Sequence, residues 1–498
     1  MELLIKGPKN NPELYFPEPN PYIVSDFDIK PVKEEHIHKY PVLVKEDEYI
    51  KVWYKKDSKF LIPKGFIYIH LLSPVAYETP EKATMFDVYV NLLTQTLNEV
   101  AYPAIMASYD FGIDGHKTGM EISMDGFSHK LPELLKTIIN EVFNLSTTEE
   151  FYKAICTEVK KSYHNEMLKA DELCRFLRFA VLEPIQWTFA EKSHSMETVR
   201  ENFVEFTNFV KEFQSKLFCE AFVTGNFTPE EAVEYGELMK IHMRGSAIPH
   251  SLQFKKLCRQ VPKTSHYCQH YSHNLGDANS TLTVYLQSEP GTFYTSCLNQ
   301  LLQSRMKEPC FDILRTKQQL GYEVYSQRHV TYGILGMSVS VEFQAHKFSM
   351  FEVDQHILKF LNDFKSTLDD MTQDEFDNIV GSLIVSKQTE DSNLGEEASR
   401  NWREIFEQIY VFDILTKEIS TLKTITLDRF KTWYHQYLSP ECRRISFQIL
   451  GYKDKSDAKI CDNDTSKSKG FLCNCDKDFI DVKQIEDVEK SVSDWPVY

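Results

Sequence analysis

The stretch Gly119-Met120-Glu121-Ile122-Ser123 decides the fold, because a similar stretch, Gly336-Met337-Ser338-Val339-Ser340, follows much later in the chain. Thr147-Thr148-Glu149-Glu150-Phe151 likewise returns as Thr372-Gln373-Asp374-Glu375-Phe376. Both offsets are roughly 220 residues, far longer than the roughly 20–50 residues of a solenoid repeat. The sequence therefore predicts the duplication of a whole domain.

Each copy is predicted to mix strands with long helices in the same order. In the first copy, the β-rich run Phe66–Leu72 precedes Phe86–Val100, where apolar residues recur at helical spacing. In the second copy, a predicted strand at Thr281–Gln287 precedes a predicted helix at Phe293–Lys307. This order favours an α+β fold of two tandem homologous domains, each with a mixed or antiparallel sheet and helices packed on one face.

Helix starts are predicted from serine or threonine followed by glutamate. Ser146 or Thr147 with the glutamates at 149 and 150 predicts a capping box, and Thr228-Pro229-Glu230-Glu231 predicts a second one with proline at the first helical position. Thr372-x-x-Glu375 predicts the corresponding start in the second copy.

Domain boundaries follow from composition. Proline recurs through the first 40 residues and disfavours both helix and central strand, so residues 1–39 are predicted to be an extended linker. The two domains are then expected at residues 40–255 and 256–452, followed by a polar tail at residues 453–498. A chain that starts with a linker is expected to be half of a larger molecule.

The charge balance indicates the kind of partner. With 73 acidic and 56 basic residues the formal net charge is −17, which disfavours binding to nucleic acid or anionic membranes. This charge suits cationic peptides, and the alternative is that it serves solubility alone. The 11 cysteines are odd in number and no secretory signal or run of about 20 apolar residues is visible, so a cytoplasmic location is predicted. Whether the chain forms a homo-oligomer stays open.

One passage of the second copy, Glu308–Tyr325, carries residues suited to chemistry. Pro309 is predicted in the first turn of a helix and Gly321 as its left-handed cap. Arg315 would then lie on the last helical turn, near Phe311 and Leu314, and Tyr322 would open the next strand.

A guanidinium and a phenol in one space form a donor pair suited to a carbonyl oxygen or a developing oxyanion. Arg315 and Tyr322 are therefore candidate catalytic residues. The alternative is a surface arginine beside a core tyrosine, which the residues alone do not exclude.

The passage Leu314-Arg315-Thr316-Lys317-Gln318-Gln319-Leu320-Gly321-Tyr322 resembles the R-T-K-x-Q-L-G-Y segment of the insulysin and nardilysin group of zinc metallopeptidases, the inverzincins. Further segments resemble the same group, the last three of them nardilysin in particular: Asn20–Phe27, Leu394–Glu397, Arg400–Trp402 and Tyr410–Asp413.

The resemblance implies a fold and a division of labour. Family members have four homologous α+β domains of the LuxS/MPP-like kind, in two halves that close around a peptide. Their N-terminal half holds zinc and a general base in H-x-x-E-H, and this chain resembles the C-terminal half. By that likeness Arg315 and Tyr322 reach the scissile peptide, Phe311 lines a side-chain pocket, and zinc is expected in the missing N-terminal half.

No zinc motif is present in this chain. None of the 16 histidines forms H-x-x-E-H; the nearest approach, His266-Tyr267-Cys268-Gln269-His270, has Gln269 where the base should stand, and an amide cannot accept the proton. A strand would place His266, Cys268 and His270 on one face. The prediction is no metal site and no cofactor in this chain, with adventitious binding by these three residues left open.

Three hypotheses remain. The chain is the substrate-binding, chamber-closing half of a zinc metalloendopeptidase that cleaves at basic or dibasic sites and is inactive alone, with peptides and the N-terminal half as partners. Alternatively, it is a non-catalytic peptide- or protein-binding scaffold, or it is a truncated version of a full peptidase.

Overall fold

The computed structural model describes residues 19–31, 33–183, 186–245, 247–248, 258–261, 263, 265–439, 441–452 and 472–473. These residues form two units, each built on one six-stranded sheet. We call residues 42–242 unit one and residues 265–473 unit two.

The two sheets have the same strand order. In unit one the order is β1-β2-β6-β3-β5-β4, where only β2 and β6 run parallel. In unit two it is β12-β7-β11-β8-β10-β9, where only β7 and β11 run parallel. The strands are β1 (Val42–Glu46), β2 (Ile50–Lys56), β3 (Lys64–Leu72), β4 (Asp110–His116), β5 (Gly119–Phe127), β6 (Phe218–Gly225), β7 (Ser265–Tyr271), β8 (Asn279–Pro290), β9 (Glu323–Thr331), β10 (Ile334–Gln344), β11 (Arg443–Leu450) and β12 (Leu472–Cys473).

The repeated stretches occupy equivalent positions in the two sheets. Gly119 on β5 pairs with Leu72 near the end of β3, and Gly336 on β10 pairs with Gln287 near the end of β8. The predicted duplication and the α+β class are therefore confirmed. The sheets differ at one edge, where β1 precedes its neighbour in the chain and β12 comes after the rest of its unit.

Long helices pack on one face of each sheet. Each sheet buries an apolar cluster under this layer. The cluster of unit one includes Phe86 and Leu93, and that of unit two includes Leu301 and Phe360. The helices are α1 (Pro80–Val100), α2 (Tyr102–Met106), α3 (Leu131–Asn144), α4 (Glu149–Met167), α5 (Ala170–Leu182), α6 (Phe189–Val199), α7 (Phe203–Ser215), α8 (Pro229–His242), α9 (Phe293–Cys310), α10 (Met350–Asp369), α11 (Gln373–Gln388), α12 (Leu394–Phe406), α13 (Ile414–Leu422) and α14 (Leu427–Tyr437).

The units exchange one helix each, so that the second face of each sheet is covered by the other unit. Helix α5 of unit one packs Leu173 and Leu177 against Phe447 of β11. Helix α12 of unit two packs Trp402 against Tyr68 of β3. The starts of α5 and α12 are separated by nearly the same length of chain as the repeated sequence stretches, so the exchanged elements are themselves duplicates. The prediction of helices on one face is correct for each unit's own layer, and the exchanged helix is an addition to it.

Most predicted helix starts are confirmed. Thr228 and Thr372 form capping boxes with the glutamates three residues on. The box predicted at Ser146 or Thr147 is wrong, because Thr148 is the N-cap of α4 and the residue three positions on is Phe151, which has no carboxylate to return to the cap.

The described part of the predicted linker lies along unit one. Tyr22 is buried and its hydroxyl is 2.9 Å from Thr137 Oγ1, while Lys30 Nζ lies 2.5 Å from Glu231 Oε1. Residues 249–257, around the boundary predicted at 255, lie outside the described residues, as does most of the predicted tail. The domain boundaries thus stay predictions.

Within the described residues, no helix has the length and apolarity that crossing a membrane requires.

Candidate functional site

The predicted site passage begins inside a helix. Pro309 lies in the last turn of α9, which passes directly into a π-helix at Phe311–Lys317. The prediction that Pro309 opens a helix is wrong, since α9 already starts after the capping box of Thr292. Proline has no N–H to donate to residue i−4, and a wider turn follows directly after it.

The reversal after the π-helix also differs from the prediction. The residue with positive φ is Gln319, at 52°, and Gly321 is not a left-handed cap. Gly321 is needed for another reason: a Cβ there would lie 1.7 Å from the carbonyl oxygen of Glu342 on β10. Only glycine allows this close approach, which fixes the start of β9 against its neighbour.

The three predicted site residues come together on the surface. The guanidinium carbon of Arg315 lies 4.6 Å from the ring centre of Phe311 and 4.9 Å from that of Tyr322. Phe311 is 43% exposed and Tyr322 is 80% exposed, whereas Leu314 is fully buried. Phe311 and Arg315 thus share an outward face, and the expectation that Leu314 lies there too is wrong, because its apolar side chain joins the core of unit two.

The surroundings leave the guanidinium able to donate. Asp312 and Lys317, on the same π-helix, form an ion pair of 2.7 Å with each other. No carboxylate of the described residues forms an ion pair with Arg315, whose orientation comes from the two rings. A partly exposed guanidinium beside an exposed phenol can donate to a carbonyl oxygen that enters from solvent.

In unit one, the first long helix is part of a buried ion pair. Lys192 on α6 lies 2.8 Å from Asp87 on α1 and 3.0 Å from the hydroxyl of Tyr77, and Tyr163 donates to the same carboxylate at 2.5 Å. These contacts occupy the carboxylate with internal donors, and α1 contains no histidine.

In unit two, the first long helix is part of a similar network. Glu418 on α13 accepts from Gln300 on α9 at 2.7 Å and from Lys387 on α11 at 2.6 Å. Helix α9 contains no histidine either. These two places do not fit zinc, because each carboxylate already binds an internal cation and zinc needs at least three ligands. The described residues contain no group of three or more His, Cys, Asp or Glu placed to hold a metal ion.

The histidine-rich strand has the predicted geometry. His266 and Cys268 are buried on β7 and alternate with the exposed Tyr267, as expected for one face of a strand. Among the described residues, neither side chain is part of a group of three or more His, Cys, Asp or Glu placed to hold a metal ion.

Sequence reasoning missed what the nardilysin-like segments do. Trp402 donates from Nε1 to Glu121 Oε1 at 2.6 Å and stacks on Tyr68 with ring centres 5.2 Å apart. Tyr410 stacks on Trp53 at 5.2 Å. These residues join unit two to unit one. The matching offset between α5 and α12 is the signal that could have pointed to an exchanged pair.

The duplicated α+β unit with its exchanged helices and its surface Arg–Tyr pair defines the class of protein. Similarity to known proteins identifies the family. Residues 1–195 match the family model "Middle or third domain of peptidase_M16", and residues 301–402 match "PQQ synthase PqqF-like, C-terminal lobe domain 4". The chain belongs to the M16 peptidases of the nardilysin and insulysin type.

Individual relatives agree with this assignment. The chain is 36% identical to nardilysin of Mus musculus over 89% of this chain and 38% of that protein. It is 27% identical to insulin-degrading enzyme of Homo sapiens over 92% of this chain and 46% of that protein. The chain thus spans less than half the length of these two relatives.

Solved structures show the fold. Pitrilysin superposes with a TM-score of 0.77 at 21% identity, over 89% of this chain and 46% of that one. A Pseudomonas fluorescens structure described as a peptidase M16 inactive domain gives a TM-score of 0.63 at 11% identity, over 83% of this chain and 98% of that one.

Proposed function

We propose that this chain is the substrate-binding, chamber-closing half of a zinc metalloendopeptidase, and that Arg315 and Tyr322 act on the peptide while zinc and the general base come from an N-terminal half. The observation that carries the proposal is the cluster in which Arg315 lies between the rings of Phe311 and Tyr322 at an exposed edge.

In this proposal the two side chains have distinct roles. Arg315 donates N–H groups to the carbonyl oxygen of the scissile peptide, and these bonds strengthen as negative charge develops on that oxygen. Tyr322 donates its hydroxyl to the same region, and Phe311 provides an apolar surface for a peptide side chain. Zinc, when bound in the other half, would supply the activated water.

The acidic surface supports a preference for peptides with basic residues, at single or paired sites. The net charge of −17 attracts cationic peptides, although acidity is also common for solubility alone. A cytoplasmic site of action and the absence of activity from this chain alone belong to the same proposal.

A second candidate is a peptide-binding scaffold without catalytic partner. The similarity in fold to a structure described as an inactive domain favours it. The two candidates differ in what happens when an N-terminal half is added.

The test mixes this chain with an N-terminal half that carries H-x-x-E-H, and follows cleavage of a fluorogenic peptide containing a dibasic site. We expect no turnover from this chain alone and turnover from the mixture. Arg315→Ala and Tyr322→Phe should each lower kcat by about 10²–10³, the usual cost of losing one oxyanion donor.

Arg200→Ala and Tyr102→Phe are matched controls, since both side chains are exposed in unit one. They should leave kcat unchanged. Turnover from this chain alone, or full activity in both site variants, would overturn the proposal, and a mixture that binds peptide without cleaving it would favour the scaffold.

A further inference from the structure

Glu323, the residue directly after Tyr322, begins a cross-strand row on one face of the sheet of unit two. In the register of β9 and β10, Glu323 lies directly opposite Glu342. In the register of β10 and β8, Glu342 lies directly opposite Thr281. Directly opposed residues share a face, so we call Glu323, Glu342 and Thr281 the acidic row.

This face is the one that the helix layer of unit two does not cover. Leu282 and Leu286, which alternate with Thr281 on β8, belong to the apolar core under that layer. The next row of the same face holds Thr283, whose Oγ1 accepts from the thiol of Cys174 on α5 at 3.5 Å. Helix α5 of unit one therefore lies beside the acidic row.

The row is electrostatically unfavourable in the free chain. Like charges directly opposite each other on neighbouring strands destabilise a sheet. Burial raises the pKa of the Glu342 carboxyl, and the negative charges of Glu323, Asp277 and Asp171 raise it further. Carboxylates from two strands, a loop and the first turn of α5 thus act on one place.

A buried hydroxyl lies in the same row. Thr281 is only 4% exposed, and its Oγ1 has no hydrogen-bond partner among the described residues. Leaving a buried hydroxyl without a hydrogen bond is unfavourable, so it indicates a missing polar partner. Because Thr281 faces the same side as Glu342, that partner would also contact the carboxylates.

An aromatic ring borders the row. Tyr325 lies two residues along β9, on the same face, opposite Ser340, and is half exposed. Carboxylates beside a tyrosine ring suit an ammonium or guanidinium group, which can pair with the acids and lie against the ring.

We propose that the acidic row binds a basic side chain, lysine or arginine, of a peptide held at Arg315 and Tyr322. The inference rests on the proposed function and names the residues that would select cationic peptides as substrates. Residues of both units take part, because Asp171 belongs to unit one and Glu323 and Glu342 to unit two.

The test uses a pair of N-acetylated peptides that differ only in one residue, lysine or norleucine, placed in turn at positions flanking the cleaved bond. With the N-terminal half present, the ratio of kcat/KM for the lysine peptide to that for the norleucine peptide is measured in wild type, Glu323→Gln and Glu342→Gln. We expect the ratio to fall about tenfold in each variant, since close charge pairs couple by about 1.5 kcal/mol or more.

Asp363→Asn is the matched control, because it removes one exposed carboxylate from α10, which belongs to the helix layer on the other face. Its ratio should equal that of wild type. An unchanged ratio in both glutamine variants, or an equal loss for both peptides, would overturn the inference. Glu342→Gln should not lower the unfolding midpoint, because it removes a repulsion.

A second measurement separates this inference from the proposed function. Fluorescently labelled versions of the same peptides are titrated with this chain alone, and their binding is measured without any turnover. If the mixture does not cleave but the chain prefers lysine and the glutamine variants lose that preference, the proposed function fails and the cation site stands. If a peptide with a free N-terminus binds at the row equally well without lysine, the side-chain assignment is wrong.

Discussion

The segments that follow the first long helix in the two units share a backbone plan and differ in side chains. In unit one, α1 is followed by the short helix α2, by Ser108 with φ of 64°, and by the edge strand β4. In unit two, α9 is followed by the π-helix, by Gln319 with φ of 52°, and by the edge strand β9.

The side chains on this common plan differ in charge. Unit one exposes Tyr102, Ile105 and Met106, which have no charge. Unit two exposes Phe311 and Tyr322 around a guanidinium. The duplicated backbone thus places an exposed surface at the sheet edge twice, and of these two segments the one in unit two carries a guanidinium between aromatic rings.

The exchanged helices show the same relation. Trp402 and Arg178 lie equally far along the chain from the starts of α12 and α5, so they hold equivalent positions. Trp402 stacks on Tyr68, while the guanidinium carbon of Arg178 lies 5.9 Å from the ring centre of Tyr285. The same packing arrangement thus uses two kinds of aromatic contact, and substitutions on the two helices can test how far their equivalence extends.

The largest effect is expected at Trp402. Trp402→Ala removes a buried indole and its hydrogen bond to Glu121, so it should lower the free energy of unfolding by about 3–5 kcal/mol in urea titrations. Trp402→Phe keeps the stack and should cost less. A loss below about 1 kcal/mol for Trp402→Ala would mean that the α12 contact contributes little to joining the units.

An intermediate effect is expected at Glu404, also on α12. Burial raises the pKa of its carboxyl to about 7, and Oε2 has no hydrogen-bond partner among the described residues. The folded chain therefore binds more protons than the unfolded chain, whose glutamate pKa is about 4.3, and stability should fall as the pH rises from about 4.3 to about 7.

Glu404→Gln should flatten this slope and raise the unfolding free energy at pH 8 by about 1–3 kcal/mol. Ala180 holds the equivalent position of α5, so the effect distinguishes the two exchanged helices. Unfolding titrations at pH 5 and pH 8 provide the measurement, and an equal pH slope in the variant would contradict the prediction.

The smallest effects are expected at the two left-handed residues. Ser108→Gly and Gln319→Gly each relieve a positive φ, which costs about 1–2 kcal/mol for a residue with a side chain, and each add unfolded-state entropy. We expect both variants to raise the unfolding midpoint slightly and equally. A gain at one position together with a loss at the other would show that the two reversals are not equivalent.

Much of the fold could be predicted from the sequence because its signals are local. Strand runs such as Phe66–Leu72, and caps such as Thr228 and Thr372, carry their own pattern. The exchange of α5 and α12 could not be predicted, since an amphipathic helix does not specify which sheet its apolar face will cover.

The site residues could be predicted from a sequence motif, but their local geometry could not. Pro309 has a strong preference for a first turn, yet α9 had already started at Phe293. Gly321 has a strong preference for a left-handed cap, yet β10 needs it for close contact. For Pro309 the capping box of Thr292 had already set the helix start, and for Gly321 a contact distant in sequence overrides the local preference.

The exchange of helices has a consequence for modularity. If either unit were expressed by itself, a sheet face with aromatic residues such as Tyr68 and Phe222, or Tyr285 and Phe447, would meet water, and such apolar patches promote aggregation. Recombination that swapped one unit between relatives would replace one partner in both contacts at once, that of α5 with the sheet of unit two and that of α12 with the sheet of unit one. The inheritable module is therefore the pair.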